Sequence, residues 1–184
     1  MTPASAPARR PSPDPSGPPA RRPPSEPAWF FGGATRRGRV TADDDPTGEE
    51  GWGTYTLVFA LPDPATVEVG ALGTHDLPAG GYAYTGSALG SGGFARVDRH
   101  RRVAAGEHGV RHWHVDYLGG HPAVHLDGVV RAPGRDVECA VAGRLAAGPV
   151  DGFGASDCDC PSHLARYEST ERAAAAVRAV YDAV

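Results

Sequence analysis

The segment from Gly81 to His100 places the strongest constraint on the fold of this chain. Its first eight residues alternate aromatic and small side chains, and this period of two predicts a β-strand. A glycine-rich turn follows, and an arginine-rich helix is predicted after Gly93, ending at Gly106. A strand that brings the Tyr84 hydroxyl beside the start of a cationic helix is suited to binding phosphate.

The rest of the ordered part shows similar alternation and helical periodicity. The predicted elements are strands over 53–61 and 66–69, a loop or hairpin over 70–81, a short helix or strand over 112–118, a strand over 121–130 and a helix over 136–147. Ser169 is placed to cap a last helix that carries an apolar stripe to Val184. This order predicts a small mixed α/β (α+β) domain.

Residues 1–50 differ from the rest in composition. They hold 11 of the 18 prolines and three pairs of adjacent arginines, with almost no apolar periodicity. Such a segment cannot bury enough surface to offset its ordering entropy, so we expect a disordered arm. A basic arm that contacts a nucleic acid backbone is the alternative. The predicted organisation is this arm, a folded domain over 51–168 and a C-terminal helix over 169–184 packed on it.

Charge, hydropathy and cysteine content exclude several classes of protein. The net charge of −4 argues against indiscriminate nucleic acid binding by the whole surface. No apolar run approaches the roughly 18 residues of a membrane helix, and the N-terminus lacks the apolar region of a secretory signal. Three cysteines do not make a disulfide scaffold, so we expect a cytoplasmic protein without a membrane partner.

Two tyrosines, an arginine and a glutamate could carry out phosphodiester chemistry. Tyr55 and Tyr84 lie on strands that can pair, each near a glycine that would let a ligand approach the backbone. Glu138 could hold a hard cation, Mg²⁺ or Mn²⁺, and Arg96 could neutralise charge on the phosphate. A tyrosine whose pKa the cation lowers could then activate water. Spacing alone does not distinguish this set from packed tyrosines and solvated charges.

A second group of residues, Cys158, Cys160 and His163, has the character of a metal site. It supplies three zinc ligands, one fewer than a closed structural site, unless His112 or His114 joins it. The Cys-x-Cys spacing is tighter than common zinc spacings, and the neighbouring aspartates suit harder metals. We therefore favour a reduced, partly buried cysteine pair and keep zinc as the alternative.

Several segments match a known family in continuous order. They are Gly53–Tyr55, Val67–Gly73, Tyr82–Ala88, Arg96–His100, His112–Leu118, Glu138–Cys139 and Gly152–Leu164. In these segments the chain resembles the GIY-YIG nuclease superfamily, and more closely an uncharacterised, largely archaeal, DUF123-like branch of it. Members of that branch are sometimes fused to endonuclease III-like repair glycosylases. The resemblance covers about residues 52–168.

The resemblance implies a fold and a set of roles. The fold is a small three-stranded antiparallel sheet flanked by helices, here with an extra hairpin. Tyr55 would be the general base, Tyr84 a second active-site phenol, Arg96 the phosphate-stabilising arginine and Glu138 the Mg²⁺ ligand. Apart from the resemblance, four further residues are predicted to contact substrate, namely Arg99, His100, His112 and His114, with capping or core hydrogen bonding as the alternative for His112 and His114.

The implied function is a metal-dependent endonuclease that cuts nucleic acid, with DNA as the expected substrate and DNA repair as the expected process. Two alternatives stay open. The same cleft could bind nucleic acid without cutting it, or the protein could be an accessory domain stabilised by metal at Cys158, Cys160 and His163. The sequence does not predict an oligomeric state.

Overall fold

A four-stranded antiparallel sheet lies at the centre of the computed structural model, which describes residues 51–184. The arm predicted over 1–50 lies outside the described residues. The elements are β1 (Gly53–Leu61), β2 (Ala65–Glu68), a 3-10 turn (Gly70–Leu72), β3 (Thr74–Leu77), β4 (Gly80–Ala88), α1 (Ala95–Ala104), α2 (His114–Gly119), β5 (His125–Pro133), α3 (Glu138–Ala142), β6 (Leu164–Tyr167) and α4 (Thr170–Ala183).

The prediction of three strands in the sheet is wrong, because the strand order is β5-β1-β4-β6. The fourth strand, β6, has only four residues and pairs with the first half of β4, from Gly81 to Tyr84. A strand this short shows no alternation that separates it from a loop. The extra hairpin is present as β2 and β3, which form a separate two-stranded antiparallel sheet.

Two other elements differ in extent from those predicted, and residues 112–118 take one of their two predicted forms. β5 begins at His125 because the preceding residues form a turn, closed by the Val124 amide donating to the His121 carbonyl. α3 has only five residues, ending at Ala142 with Gly143 as its C-cap. Residues 112–118, which fitted a helix or a strand, contain the start of helix α2 at His114.

The C-terminal helix begins as predicted. The Ser169 hydroxyl accepts a hydrogen bond from the Arg172 amide at 3.3 Å, which is the N-cap arrangement. None of the helices in residues 51–184 combines the length and apolar character needed to cross a membrane.

Both faces of the sheet are covered. Along β1, Tyr55, Leu57 and Phe59 point into a cluster that includes residues of α1 and α2. Val58 points to the other face, where Val177 of α4 packs against it. This alternation follows from the period of two along a strand. The first face is the one that carries the candidate site.

A single glycine in β4 makes room for a buried tyrosine in β1. Gly86 pairs with Tyr55, and a Cβ atom at Gly86 would lie 2.7 Å from the Tyr55 Oη and 2.8 Å from its Cζ. These atoms are fixed in the core, since Tyr55 is only 1% exposed. The glycine is therefore required by the ring opposite it.

We expect Gly86→Ala to lower the free energy of unfolding by about 1–3 kcal/mol, because overpacking forces the phenol and the strand apart. Urea denaturation would measure the loss. Gly90→Ala is the matched control, since a Cβ there meets nothing within 4 Å; its expected change is within about 0.5 kcal/mol. Equal stability of the two variants would contradict the steric explanation.

Candidate functional site

A cleft of about 170 Å³ opens on the first face of the sheet, near the end of β4. Its walls come from β4, α1, the start of α2, the first residue of α3 and the loop before β6. The lining residues are Tyr84, Ser87, Arg96, His112, Trp113, His114, Glu138, Gly154, Ser156 and Asp157. Five residues that the sequence singled out, Tyr84, Arg96, His112, His114 and Glu138, thus share one cleft.

Tyr84 is the phenol that reaches the cleft wall. Its ring packs edge-on against Phe153 with the centroids 5.8 Å apart. Gly154 leaves the space for it, because a Cβ atom there would lie 2.6 Å from the Tyr84 Cε2. Burial raises the pKa of Tyr84 well above its ordinary value, so the phenol keeps its proton at neutral pH. Tyr84 can therefore donate a hydrogen bond to a ligand.

Tyr55 lies behind Tyr84 and does not line the cleft. The two rings meet edge-on with their centroids 6.4 Å apart, and the Tyr55 hydroxyl contacts the Nε2 of His100 at 3.0 Å. Burial also raises the pKa of Tyr55. A general base must be ionised or readily deprotonated and must reach its substrate. Tyr55 lies inside the core, where burial favours the protonated form of its phenol.

Asp116 is the residue that holds this buried region together. It is 1% exposed, and its carboxylate accepts hydrogen bonds from His100 Nδ1 at 2.9 Å and from the backbone amides of His112 and Trp113 at 2.8 and 3.1 Å. Arg99 adds an ion pair at 2.8 Å. Burial alone would raise the pKa of Asp116, but these hydrogen bonds outweigh it and hold the pKa well below its usual range.

The direction of the hydrogen bonds through His100 follows from the ionised state of Asp116. A carboxylate can only accept, so the His100 Nδ1 carries a proton. In the neutral imidazole Nε2 is then an acceptor, and it receives the Tyr55 O–H. Arg99, His100 and Tyr55 are thus linked through one buried carboxylate.

Arg99 and His100, for which substrate contacts were predicted, are both members of this linkage. Both nitrogens of the His100 ring have protein partners, and neither residue lines the cleft. Asp116 was not identified as a site residue from the sequence. The sequence did contain a signal for this role, because Asp116 lies four residues after His112, in the first turn of α2. At that position its carboxylate accepts a hydrogen bond from the His112 backbone amide.

Arg96 is held at the cleft by two contacts. One guanidinium nitrogen donates to the Ser87 carbonyl at 2.7 Å, and the group lies over the Trp113 ring at 4.8 Å from its centroid. The Arg99 guanidinium lies over the same ring at 4.5 Å. Arginine stacked on an aromatic face keeps its planar fork in a defined orientation. This orientation suits the recognition of a phosphate.

His114 is fixed as a hydrogen-bond donor. Its Nδ1 accepts from the Gly154 amide at 3.0 Å, so in the neutral ring the proton is on Nε2. Burial lowers the pKa of His114, which favours this neutral form.

Two carboxylates, those of Glu138 and Asp157, also line the cleft. The Oε1 of Glu138 lies 3.0 Å from the Nδ1 of His163. Glu138 therefore contacts the cleft on one side and His163 on the other. Its position at the start of α3 explains why one side chain reaches both.

His163 belongs to a cluster that could hold a metal ion. Its four members are Cys139, Cys158, Cys160 and His163, and one ligand atom from each lies within 4.8 Å of all the others. The sequence predicted three of these residues and missed Cys139. That residue is 19 positions before Cys158, and only the fold brings it close. Cys158 and Cys160, interpreted from the sequence as a reduced, partly buried pair, thus have Cys139 and His163 as further neighbours.

The cluster side chains perturb one another. Hydrogen bonding to Cys160, together with burial, raises the pKa of the Cys139 thiol to about 12. Hydrogen bonding to His163 lowers the pKa of Cys160. Burial opposes protonation of His163, but hydrogen bonds to Glu138 and Cys160 raise its pKa overall. The pKa of each group thus depends on its neighbours in the cluster.

Comparison with known proteins identifies the family of the chain. A family model described as a domain of unknown function, DUF123, matches residues 54–184. The match runs from β1 through α4 and contains every residue of the cleft and of the cysteine–histidine cluster. No curated protein and no solved structure matches the chain.

Proposed function

The chain belongs to the DUF123 family, and from that premise we propose that its cleft binds a phosphodiester group of nucleic acid and hydrolyses it with the help of a divalent cation. DNA is the expected substrate, and a role in DNA repair is part of the proposal. Membership of the family agrees with the DUF123-like resemblance. The wider GIY-YIG relationship supports the proposal as a resemblance only.

The observation that carries the proposal is the meeting of Tyr84, Arg96 and Glu138 in one cleft. They come from β4, α1 and α3, which are far apart in the sequence. Arg96 supplies positive charge, while Tyr84 and His114 supply neutral donors. Such groups stabilise the negative charge that develops on a phosphate during hydrolysis.

The carboxylates of Glu138 and Asp157 fit a divalent cation. Mg²⁺ and Mn²⁺ prefer oxygen ligands, and both carboxylates line the cleft beside Arg96. Since His163 contacts one oxygen of Glu138, the other oxygen is the one proposed for the cation. When bound, the cation would neutralise charge on the phosphate.

The proton acceptor is the one role that we assign differently in this proposal. Burial raises the pKa of both Tyr55 and Tyr84, so neither phenol is ionised by its surroundings in the protein. An imidazole is better suited to accepting a proton near neutral pH. We therefore assign this role to His112, which lines the cleft, and assign Tyr84 to hydrogen bonding with a phosphate oxygen.

The same raised pKa values favour a second candidate function. A cleft with one protonated phenol, that of Tyr84, and a fixed arginine can bind a phosphate backbone without cutting it. In that case binding would weaken with salt, as expected for contacts that release counterions. Cleavage would be absent with Mg²⁺ and with Mn²⁺.

We expect Arg96→Ala to lower the rate of plasmid nicking about 100- to 1000-fold, the range found when one stabilising donor is removed from an active site. The assay uses supercoiled plasmid with Mg²⁺ or Mn²⁺, and with EDTA as the metal-free arm. Arg172→Ala is the matched control, because Arg172 is an exposed arginine of α4 that forms an ion pair with exposed Glu168. The melting temperature of each variant shows whether the fold is retained.

The outcomes separate the two functions. Nicking that requires the cation and falls in Arg96→Ala but not in Arg172→Ala supports the hydrolase. Binding of DNA or RNA in a gel-shift assay without nicking supports the binding module. A wild-type protein that neither binds nor cuts DNA or RNA overturns both.

A further inference from the structure

The region that joins α3 to β6 has little regular secondary structure. After α3 ends at Ala142, no helix or strand occurs before β6 begins at Leu164. A few backbone hydrogen bonds close this loop, such as the Gly152 amide to the Pro161 carbonyl and the His163 amide to the Phe153 carbonyl. These bonds join residues before Cys158 to residues after Cys160, so the two cysteines lie within the part of the loop that the bonds enclose.

Cys139 and His163 provide partners for those two cysteines. The Nε2 of His163 lies 3.4 Å from the Cys158 Sγ and 4.0 Å from the Cys139 Sγ. Zinc bonds of about 2.3 Å to sulfur and about 2.0–2.1 Å to nitrogen place tetrahedral ligands roughly 3.5–3.8 Å apart. Since all four ligand atoms already lie within 4.8 Å of one another, small side-chain movements complete the tetrahedron.

The histidine is oriented as a metal-binding histidine should be. The Nδ1 of His163 lies 3.0 Å from the Glu138 carboxylate, to which its N–H donates. The other nitrogen, Nε2, is thereby left as the ligand atom, and it faces the sulfurs. A carboxylate in this position fixes the tautomer and the ring orientation of a histidine that binds zinc.

We propose that Cys139, Cys158, Cys160 and His163 bind one zinc ion in a closed, structural site. The ion ties the start of α3 and the loop around Cys158 to the residue that precedes β6. Three thiolates and one imidazole are a ligand set typical of structural zinc and leave no open position for a substrate. None of the four ligands lines the cleft, so this site does not depend on the proposed hydrolysis.

The test begins with the full chain, prepared without a polyhistidine tag, kept reduced and dialysed against metal-free buffer. We expect elemental analysis to find about one zinc ion per chain. Cobalt added to the metal-free protein should give the visible bands of a tetrahedral complex together with sulfur-to-cobalt charge transfer. The three thiols should react with a thiol reagent in the metal-free protein and be protected once zinc is added.

Two variants complete the test. Cys139→Ser removes a ligand whose residue is exposed, so it disturbs packing least. It should reduce zinc affinity by at least about tenfold and weaken the charge-transfer band, even if its fold is unchanged. His125→Ala is the control for histidine content, since His125 is exposed at the start of β5 and outside the cluster, and it should retain the metal.

The result that overturns the proposal is also clear. Less than about half an equivalent of zinc in folded wild-type protein after zinc is supplied would remove the site. Zinc or cobalt bound equally well by wild type and Cys139→Ser would show that the metal lies elsewhere. Plasmid nicking need not change for either conclusion, which keeps this test separate from that of the hydrolase.

Discussion

Replacing Asp116 with alanine is expected to lower the free energy of unfolding by about 3–5 kcal/mol, the cost of breaking a buried ion pair by removing one partner. The substitution would leave the Arg99 guanidinium without its carboxylate and two backbone amides, those of His112 and Trp113, without their acceptor. It would also release the His100 ring that contacts Tyr55. Urea denaturation followed by circular dichroism would measure the loss.

Asp98→Ala is the matched control for this substitution. Asp98 lies on α1, and its side chain is 57% exposed and pairs with Arg101 at 3.4 Å. Exposed pairs of this kind contribute little, so we expect a change within about 0.5 kcal/mol. Similar losses in both variants would mean that Asp116 does not organise the buried region.

The same carboxylate should make stability depend on acid pH. Its pKa in the folded protein lies well below the value of about 3.9 in an unfolded chain. The stabilisation is therefore fully present above about pH 5, and it is lost as the pH falls below about 4, because the unfolded state takes up the proton first.

Asp116→Asn tests this contribution directly, because the amide cannot titrate. Its free energy of unfolding should be lower than that of the wild type near neutral pH and should fall less steeply between about pH 5 and pH 3. Urea titrations at several pH values would give the two slopes. Parallel slopes would assign the acid sensitivity to other carboxylates.

Glu138→Ala is expected to affect both sites at once. It removes a carboxylate from the cleft and the acceptor for His163 Nδ1–H. We expect plasmid nicking to fall about 100- to 1000-fold. Zinc affinity, measured by competition with a chelating indicator, should fall about 10- to 100-fold, as is usual when a partner of a metal-binding histidine is lost.

Glu138→Gln separates the two effects. Its amide oxygen can still accept from His163, so zinc affinity should remain close to that of the wild type. The loss of charge should nevertheless weaken cation binding in the cleft and reduce nicking. Unchanged zinc affinity in Glu138→Ala would show that Glu138 does not orient His163, and unchanged nicking in both variants would remove Glu138 from the cleft chemistry.

The parts of the fold that sequence could predict are those with strong local signals. β1 and β4 are nine residues long and carry aromatic and β-branched side chains, and Ser169 caps α4 through a contact only three residues away. By contrast, β6 has four residues and depends on pairing with β4 for its existence. Its strand character comes from a distant partner, which no local pattern encodes.

The candidate site shows the same limit. Tyr84, Arg96 and Glu138 could be named from motifs, but the contacts that define their surroundings join distant residues. Tyr55 and His100 are 45 positions apart, and Glu138 and His163 are 25 apart. Cys139 was missed because its ligand role depends on the folding of α3 against the loop before β6.

The fit between Tyr55 and Gly86 has a consequence for how this protein can change. Each residue is tolerated because of the other, since the glycine leaves the volume that the phenol fills. Substitutions at the two positions should therefore be non-additive, as is usual for residues in contact. Selection for folded protein from a library that varies position 86 alone should recover glycine at that position. One that varies both positions should return larger residues at 86 only with smaller ones at 55, so the pair evolves as one unit.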